Sequence, residues 1–111
     1  MPAGYQNLYL EQGASFNTTI TLDDVYGDAY NLSGYTVKSQ MRKSYYSANT
    51  TAVFTSSLNP TQGVISLSLS APTTANIATG RYVYDATITD NLGNVTRILE
   101  GVIDVSPSVT R

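Results

Sequence analysis

The 111-residue chain contains no histidine, no cysteine and no tryptophan, and charged residues make up only 13% of it. Without histidine and cysteine it has no imidazole base, thiol nucleophile, Cys/His zinc site, haem ligand or disulfide bond. Six basic residues against eight acidic ones give a net charge of −2, so there is no basic excess to hold a phosphate backbone. These absences exclude most residue-based catalytic chemistry and argue against a nucleic-acid partner.

Long apolar runs are also missing. No stretch approaches the ~18 apolar residues that a membrane span needs, and the first five residues show no cationic segment followed by an apolar run. We therefore expect neither a membrane partner nor a secretion signal. A length of 111 residues fits one domain with one hydrophobic core.

The sequence is rich in small hydroxyl side chains and in tyrosine. Serine and threonine occupy 27 of the 111 positions, and nine of the eleven aromatic residues are tyrosine. Threonine and tyrosine favour strands, and tyrosine suits a sheet face with one apolar and one wet side. The composition predicts an all-β domain.

Apolar and polar residues alternate along several short segments, which is the pattern of strands with one buried face. In the clearest of them, every second residue from Phe16 to Leu22 falls on one face. Clusters of glycine, asparagine, aspartate and proline separate the segments and predict turns. The predicted strands are residues 16–22, 29–32, 35–45, 51–56, 64–69, 81–89 and 95–105, and a helical turn with Pro72 near its start and Ile77 at its end is predicted over residues 71–77.

Seven or eight short strands with turns every 8 to 12 residues predict an immunoglobulin-like antiparallel β-sandwich with extended terminal arms. Its expected parts are an N-terminal arm and first edge strand over residues 1–13, the sandwich domain over residues 14–105 and a C-terminal tail over residues 106–111. The N-terminal arm is expected to pair with its own sheet or with a neighbouring subunit by strand addition. Tyr82, after Gly80 and Arg81, is predicted to tie a structural corner through its hydroxyl.

The remaining candidates for catalysis are mainly carboxylates, and their spacing does not favour it. Asp85 and Asp90 are five residues apart, an odd offset that directs them to opposite faces of a regular strand. We predict that the chain is not an enzyme and uses no cofactor. Two loops carry oxygen ligands of the kind calcium prefers, but such side chains usually cap their own turns, so no metal site is predicted. These loop residues are Asp23, Asp24, Asp28, Asp90, Asn91 and Asn94.

Two groups of side chains are candidates for contact with a partner. Lys38 and Arg42 share one strand face and form a positive stripe; the alternative is a solvated face whose charges protect a sheet edge. Tyrosines near loops and chain ends suit an interface because each combines an apolar body with a polar tip. The absence of tryptophan favours protein contact over sugar contact. The predicted partner-binding residues are Tyr5, Tyr9, Tyr26, Lys38, Arg42, Tyr45 and Tyr46.

Several short segments follow one another in a distinctive order and spacing. They are QGASF (12–16), LSGYTV (32–37), GVISL (63–67), GRYVYD (80–85), GNV (93–95), EGVIDV (100–105) and VTR (109–111). In this order they resemble a family of small immunoglobulin-like structural modules in tailed bacteriophage virions, similar to the N-terminal domain of phage baseplate upper proteins. The resemblance extends over most of the chain.

This resemblance implies a non-enzymatic virion protein, assembled in the host cytoplasm, that binds other virion proteins such as major capsid or tail and baseplate subunits, or itself as a homo-oligomer. Baseplate upper proteins continue into linkers and receptor-facing domains, whereas this sequence stops at Arg111. The expected role is therefore a capsid decoration or cement protein, or a tail, neck or baseplate adaptor. The rival hypothesis is a carbohydrate- or host-surface-binding module, because one fold hosts many functions.

Overall fold

The computed structural model describes residues 4–22, 26–28 and 30–109. Within these ranges the chain forms nine strands and one short helix, and no helix there is long and apolar enough to cross a membrane. The elements are β1 (Gly4–Tyr5), β2 (Leu8–Glu11), β3 (Phe16–Thr21), β4 (Thr36–Arg42), β5 (Ala52–Val53), β6 (Thr55–Asn59), β7 (Val64–Leu69), α1 (Ala71–Ala75), β8 (Gly80–Thr89) and β9 (Val95–Ser106).

The strands build two sheets in a sandwich, which confirms the predicted all-β, immunoglobulin-like fold class. The larger sheet has the order β1-β9-β8-β4-β5, and β2 also pairs with β9. The smaller sheet has the order β3-β7-β6. The hairpin of β8 and β9 contains the two longest strands, ten and twelve residues, and forms the centre of the larger sheet.

Alternation of side chains fixes which face of each strand is buried. In β7, Ile65, Leu67 and Leu69 are 0–4% exposed, while the serines between them point to the other face. The same pattern operates in β8, where Ala86 and Ile88 are buried. The inner faces of the two sheets therefore supply one continuous core, as the periodicity predicts.

The strand predicted over residues 51–56 is in fact two strands in different sheets. β5 pairs with β4 in the larger sheet, and β6 pairs with β7 in the smaller one. Phe54 lies between them, is 2% exposed, and donates its backbone N–H to the Ser39 carbonyl at 3.0 Å. The chain crosses from one sheet to the other at this buried residue, and periodicity alone does not show such a crossing.

The short strand predicted over residues 29–32 is not a strand in residues 30–32, and residue 29 lies outside the described residues. Tyr30 N–H donates to the Leu22 carbonyl at 2.9 Å, and Leu32 N–H donates to the Pro60 carbonyl at 3.0 Å. These are single backbone bonds rather than a ladder. Leu32 is fully buried, so its apolar side chain packs into the core.

Residues 4–11, which belong to the predicted N-terminal arm, lie along β9 as β1 and β2 and run parallel to it. The sequence predicted pairing of this arm without its direction, and the pairing is parallel. The chain crosses to the smaller sheet after β2 instead of turning back in a hairpin, so no tight turn sets the direction of this strand. Leu8 and Leu10 are 5% and 1% exposed and belong to the core, whereas Tyr9 between them points outwards.

The helical turn predicted near Pro72 is present as α1, with Pro72 in its first turn. The Thr74 hydroxyl donates to the Ala14 carbonyl at 2.8 Å and joins the helix to the loop between β2 and β3. Ile77, which follows the helix, is 3% exposed. These contacts close one end of the sandwich.

Candidate binding face

The outer face of the larger sheet collects most of the predicted partner-binding residues. Tyr5 and Tyr9 point outwards from β1 and β2, Lys38 and Arg42 from β4, and Tyr45 follows the end of β4. We call this surface the tyrosine-rimmed face. Its residues are Tyr5, Tyr9, Lys38, Gln40, Arg42, Tyr45, Val53, Arg81, Val83, Asp85, Arg97, Glu100, Val102 and Asp104.

Strand register arranges this face in rows. Tyr5, Tyr9 and Val53 are 63%, 71% and 57% exposed and lie on the outermost strands of the sheet, so apolar surface borders a polar centre on both sides. One row is Tyr5, Glu100, Asp85, Gln40 and Val53, and a second is Tyr9, Asp104 and Arg81.

Most charges in the centre of the face are paired. Arg81 Nε lies 2.9 Å from Asp104 Oδ1, and this hydrogen bond together with the charge of the carboxylate raises the pKa of Arg81. Arg97 contacts Asp85 at 3.4 Å and Glu100 at 3.1 Å. The pairs lie across and along β8 and β9, so they hold these side chains in fixed positions while adding little stability at exposed sites.

Arg42 anchors the loop that carries Tyr45. Its Nη1 donates to the carbonyls of Ser47 and Ala48, both at 3.0 Å, and its Nη2 donates to Gln40 Oε1 at 3.1 Å. The guanidinium therefore makes three hydrogen bonds, two of them to the loop that follows its own strand. Tyr45 remains 60% exposed at the rim.

A hollow of about 290 Å³ lies between the Tyr45 loop and the centre of the face. Its size is near the lower limit of pockets that hold small molecules. Guanidinium, amide, carboxylate and phenol groups surround it, which is a set of directional hydrogen-bonding groups beside an aromatic ring. The lining residues are Gln40, Arg42, Tyr45, Val83, Tyr84, Asp85 and Arg97.

Tyr84 lies on the buried side of β8 and fixes the strand that bears Tyr5. Its hydroxyl donates to the Gln6 carbonyl at 2.6 Å, through a gap left by Gly101 on β9. A Cβ atom at Gly101 would overlap that carbonyl, so glycine is required for this close approach. Burial, with a smaller contribution from Tyr5, raises the pKa of Tyr84 to about 12.

Two predicted partner residues lie elsewhere or beside the face. Tyr26 is 86% exposed in the loop between β3 and β4, whereas Tyr45 follows the opposite end of β4. Tyr46 is 97% exposed on the turn next to Tyr45. Of the calcium-type loop residues, Asp23 and Asp24 lie outside the described residues, and among the residues that are described no group of three histidine, cysteine or acidic side chains is placed to hold a metal.

Asp90 and Tyr82 serve local structure. Asp90 Oδ1 accepts the backbone N–H groups of Asn94 and Leu92, each at 2.9 Å, and these bonds hold the pKa of Asp90 below its usual value. The Tyr82 hydroxyl donates to the Ala78 carbonyl at 2.7 Å, four residues back along the chain. This is the hydrogen bond that a tyrosine corner makes.

The sequence reasoning missed the residues of the β8–β9 hairpin that complete the face. Arg81 and Val83 alternate with buried positions of β8, which marks them as outward-pointing. Arg97 pairs with Thr87 beyond a register shift that breaks the alternation of β9, so the pattern does not give its direction. Which strands flank the hairpin depends on sheet order, however, and no local pattern reveals that β4 lies on one side of it and β1 and β2 on the other.

No protein-family model matches the chain, and no curated protein matches it in sequence. Among solved structures it is similar to the GspB Siglec domain, with a TM-score of 0.54, 17% identity and coverage of 95% of this chain. It is also similar to a variant of the SrpA adhesin from Streptococcus sanguinis, with a TM-score of 0.52, 13% identity and coverage of 91% of this chain. The chain spans about half of each of those two chains, 55% in both cases. A Lin-41 filamin domain matches with a TM-score of 0.49, 17% identity, and coverage of 88% of this chain and 82% of that one. At these identities the likeness to the GspB Siglec domain and the SrpA adhesin concerns the fold.

Proposed function

We propose that the chain is a non-enzymatic binding module that docks on a partner protein through the tyrosine-rimmed face. The observation that carries this proposal is the placement of Tyr5, Tyr9 and Tyr45, each 60–71% exposed, around a centre of paired charges. Tyrosine and arginine are the side chains that most often dominate binding energy at protein interfaces.

The face is prepared for binding before any partner arrives. Arg81 and Arg97 are held by acidic neighbours, and Arg42 fixes the Tyr45 loop, so less side-chain freedom is lost on association. A standard interface buries about 800 Å² on each partner. That is about an eighth of the 6826 Å² surface of the chain, an area that one sheet face can supply.

The setting we propose is a bacteriophage particle, in which the module decorates the capsid or joins tail, neck or baseplate subunits. The support for this setting is the order of sequence segments that resemble virion modules. Repeated copies on a symmetric particle would add strength by avidity, so each single contact need not be tight.

The test uses virus particles produced by cells that carry the gene for this chain, and the particles are purified by their buoyant density. The chain should copurify at a fixed ratio to the major structural proteins. The double variant Tyr9→Ala/Tyr45→Ala should weaken its affinity for the particles at least about tenfold, the effect of losing 1.4 kcal/mol, and so lower its occupancy. Tyr26→Ala is the matched control, because it removes a tyrosine that is even more exposed, at 86%, from another loop. Unchanged occupancy by the double variant, or absence of the chain from the particles, contradicts the proposal.

The second candidate is a carbohydrate- or host-surface-binding module, and the hollow beside Tyr45 favours it. The polar groups around that hollow suit sugar hydroxyls, and the fold likeness to the SrpA adhesin and to the GspB Siglec domain is compatible with this role. NMR titration of the isolated chain with neutral and acidic oligosaccharides distinguishes the candidates. Shift changes confined to the hollow at millimolar sugar or below favour carbohydrate binding, and their absence favours protein docking.

A further inference from the structure

β3 is an edge strand that leaves one side of its backbone unpaired. Within the described residues it pairs with β7 alone, over all six residues from Phe16 to Thr21. The inner-face residues Phe16 and Ile20 are only partly buried, whereas Leu69 and Ile65, their partners on β7, are 4% and 0% exposed. The core is therefore incompletely covered along this edge.

The hydrogen-bonding pattern identifies which backbone groups face outwards. Leu22 N–H donates to the Gly63 carbonyl at 2.8 Å, which continues the antiparallel ladder between β3 and β7. Because hydrogen-bonded pairs alternate along such a ladder, the even-numbered residues of β3 bond to β7. The N–H and C=O groups of Asn17, Thr19 and Thr21 therefore point away from the sheet.

This edge lacks the features that usually prevent strand pairing. β3 has the sequence FNTTIT, with no charged residue and no proline. The start of β6, the opposite edge strand, is tied to β4 of the larger sheet, since Ser56 Oγ donates to the Val37 carbonyl at 3.3 Å and Phe54 N–H donates to the Ser39 carbonyl at 3.0 Å. Within the described residues, no hydrogen bond of this kind joins β3 to the larger sheet.

We propose that β3 pairs antiparallel with β3 of a second copy, about a two-fold axis at Thr18, to form a dimer with a continuous six-stranded sheet. The polarity of the strand is symmetric about Thr18, with apolar Phe16 and Ile20 on one side of the sheet and polar Asn17 and Thr19 on the other. In this register each residue meets a residue of its own kind, and a threonine pair lies on the axis.

The symmetry selects a second copy of this chain over an unrelated extended peptide. Phe16 would lie against Ile20 of the partner subunit, which covers the partly buried apolar residues at the edge. Asn17 would exchange both backbone hydrogen bonds with Thr19 of the partner subunit, and the outward-pointing groups would be satisfied. With no charge on β3, no repulsion opposes the approach. The inference is independent of the proposed function, because β3 belongs to the other sheet.

The first test measures mass by sedimentation velocity across a concentration series of the full chain. Wild type should reach twice the monomer mass, and both Thr19→Lys and Thr19→Pro should return it to the monomer, the first by like charges near the axis and the second by removing an outward N–H. Ser57→Lys is the matched control, because it places the same charge in the same row and on the same face at the opposite edge of the sheet. A wild-type monomer throughout, or a dimer that survives both Thr19 substitutions, overturns the proposal.

The second test fixes the register and does not depend on affinity alone. The chain has no cysteine, so Thr18→Cys introduces a single thiol, which the proposed axis places opposite its own copy at a Cα separation of about 4.5 Å, within disulfide range. Under mild oxidation Thr18→Cys should form a disulfide dimer in high yield, and Ser57→Cys should not. Equal yields overturn the proposal. Amide exchange gives a folded-state check, since the amides of Asn17 and Thr19 should gain protection as concentration rises.

Discussion

At the scale of single residues, the contact among Tyr84, Gln6 and Gly101 determines where the first strand lies. A buried hydroxyl reaches across β9 to a backbone carbonyl through the space that a side chain would fill. The sequence shows a tyrosine and a glycine seventeen residues apart, each explained by strand and turn statistics, and neither suggests the other. This hydrogen bond could not be predicted from the sequence, because it depends on the parallel pairing of β1 and β2 with β9.

Gly101→Ala should displace the first strand and lower the free energy of unfolding by about 1–3 kcal/mol, the usual cost of overpacking. Gly4→Ala is the control in the same pair of strands, because the nearest atom to a Cβ there is 3.6 Å away and its effect should stay within about 0.5 kcal/mol. Denaturant titration of both variants measures the difference. Equal stability of the two would show that the close approach at Gly101 does not matter.

Tyr84→Phe should lower stability by about 0.5–1.5 kcal/mol at neutral pH through loss of one hydrogen bond. Burial raises the pKa of Tyr84 to about 12 in the folded chain, above its usual value of 10.0. The stabilisation is therefore complete below pH 10 and is lost as pH rises towards 12. Unfolding curves at several alkaline pH values should show the gap between wild type and variant narrowing in that window. A gap that widens there contradicts the assignment.

At the scale of elements, alternation predicted the strands that lie fully within one sheet and failed where the chain changes sheets. The faces of β4, β7 and β8 follow directly from period-two patterns, and so does that of β9 from Leu99 to Val105, after the register shift. In the sequence, Phe54 and Leu32 cannot be told from residues within a strand. A buried apolar side chain in any extended segment gives the same alternation of apolar and polar residues. The direction of β2 was open for the same reason: pairing between chain ends leaves no local signature.

The strand β2 offers two adjacent residues with opposite roles. Leu10 is 1% exposed and Tyr9 is 71% exposed. Leu10→Ala should cost about 2–5 kcal/mol of unfolding free energy through a core cavity, and Tyr9→Ala should stay within about 0.5 kcal/mol. Thermal and denaturant unfolding measure both. A large loss of stability in Tyr9→Ala would remove this variant as a test of binding.

The β8–β9 hairpin carries an acid-sensitive turn. Hydrogen bonds from its own loop hold the pKa of Asp90 below its usual value of 3.8. The sign of the shift means that the stabilisation is present above pH 3.8 and is lost as pH falls below it. NMR titration should give Asp90 a midpoint below 3.8, with the Leu92 and Asn94 amides moving at the same pH, and Asp90→Asn should abolish that movement. A midpoint above 3.8 contradicts the turn geometry.

At the scale of the whole molecule, the two proposals use different surfaces of the sandwich. The larger sheet offers exposed tyrosines around ordered charges, and the smaller sheet offers an uncharged, unpaired edge. Composition predicted an all-β domain and no function. The binding role is a prediction from the exposed tyrosines and from the resemblance to virion modules. The centre of the face depends on sheet order, so it became visible with the fold.

The most direct measurement of the central claim is tyrosine iodination of the chain before and after its assembly on purified particles, read by mass spectrometry. In the isolated chain Tyr5, Tyr9, Tyr26 and Tyr45 should all be labelled, since each is at least 60% exposed. After assembly, docking through the tyrosine-rimmed face predicts that Tyr5, Tyr9 and Tyr45 lose their labelling while Tyr26 keeps it. Undiminished labelling of those three, or protection of Tyr26 alone, would contradict the account.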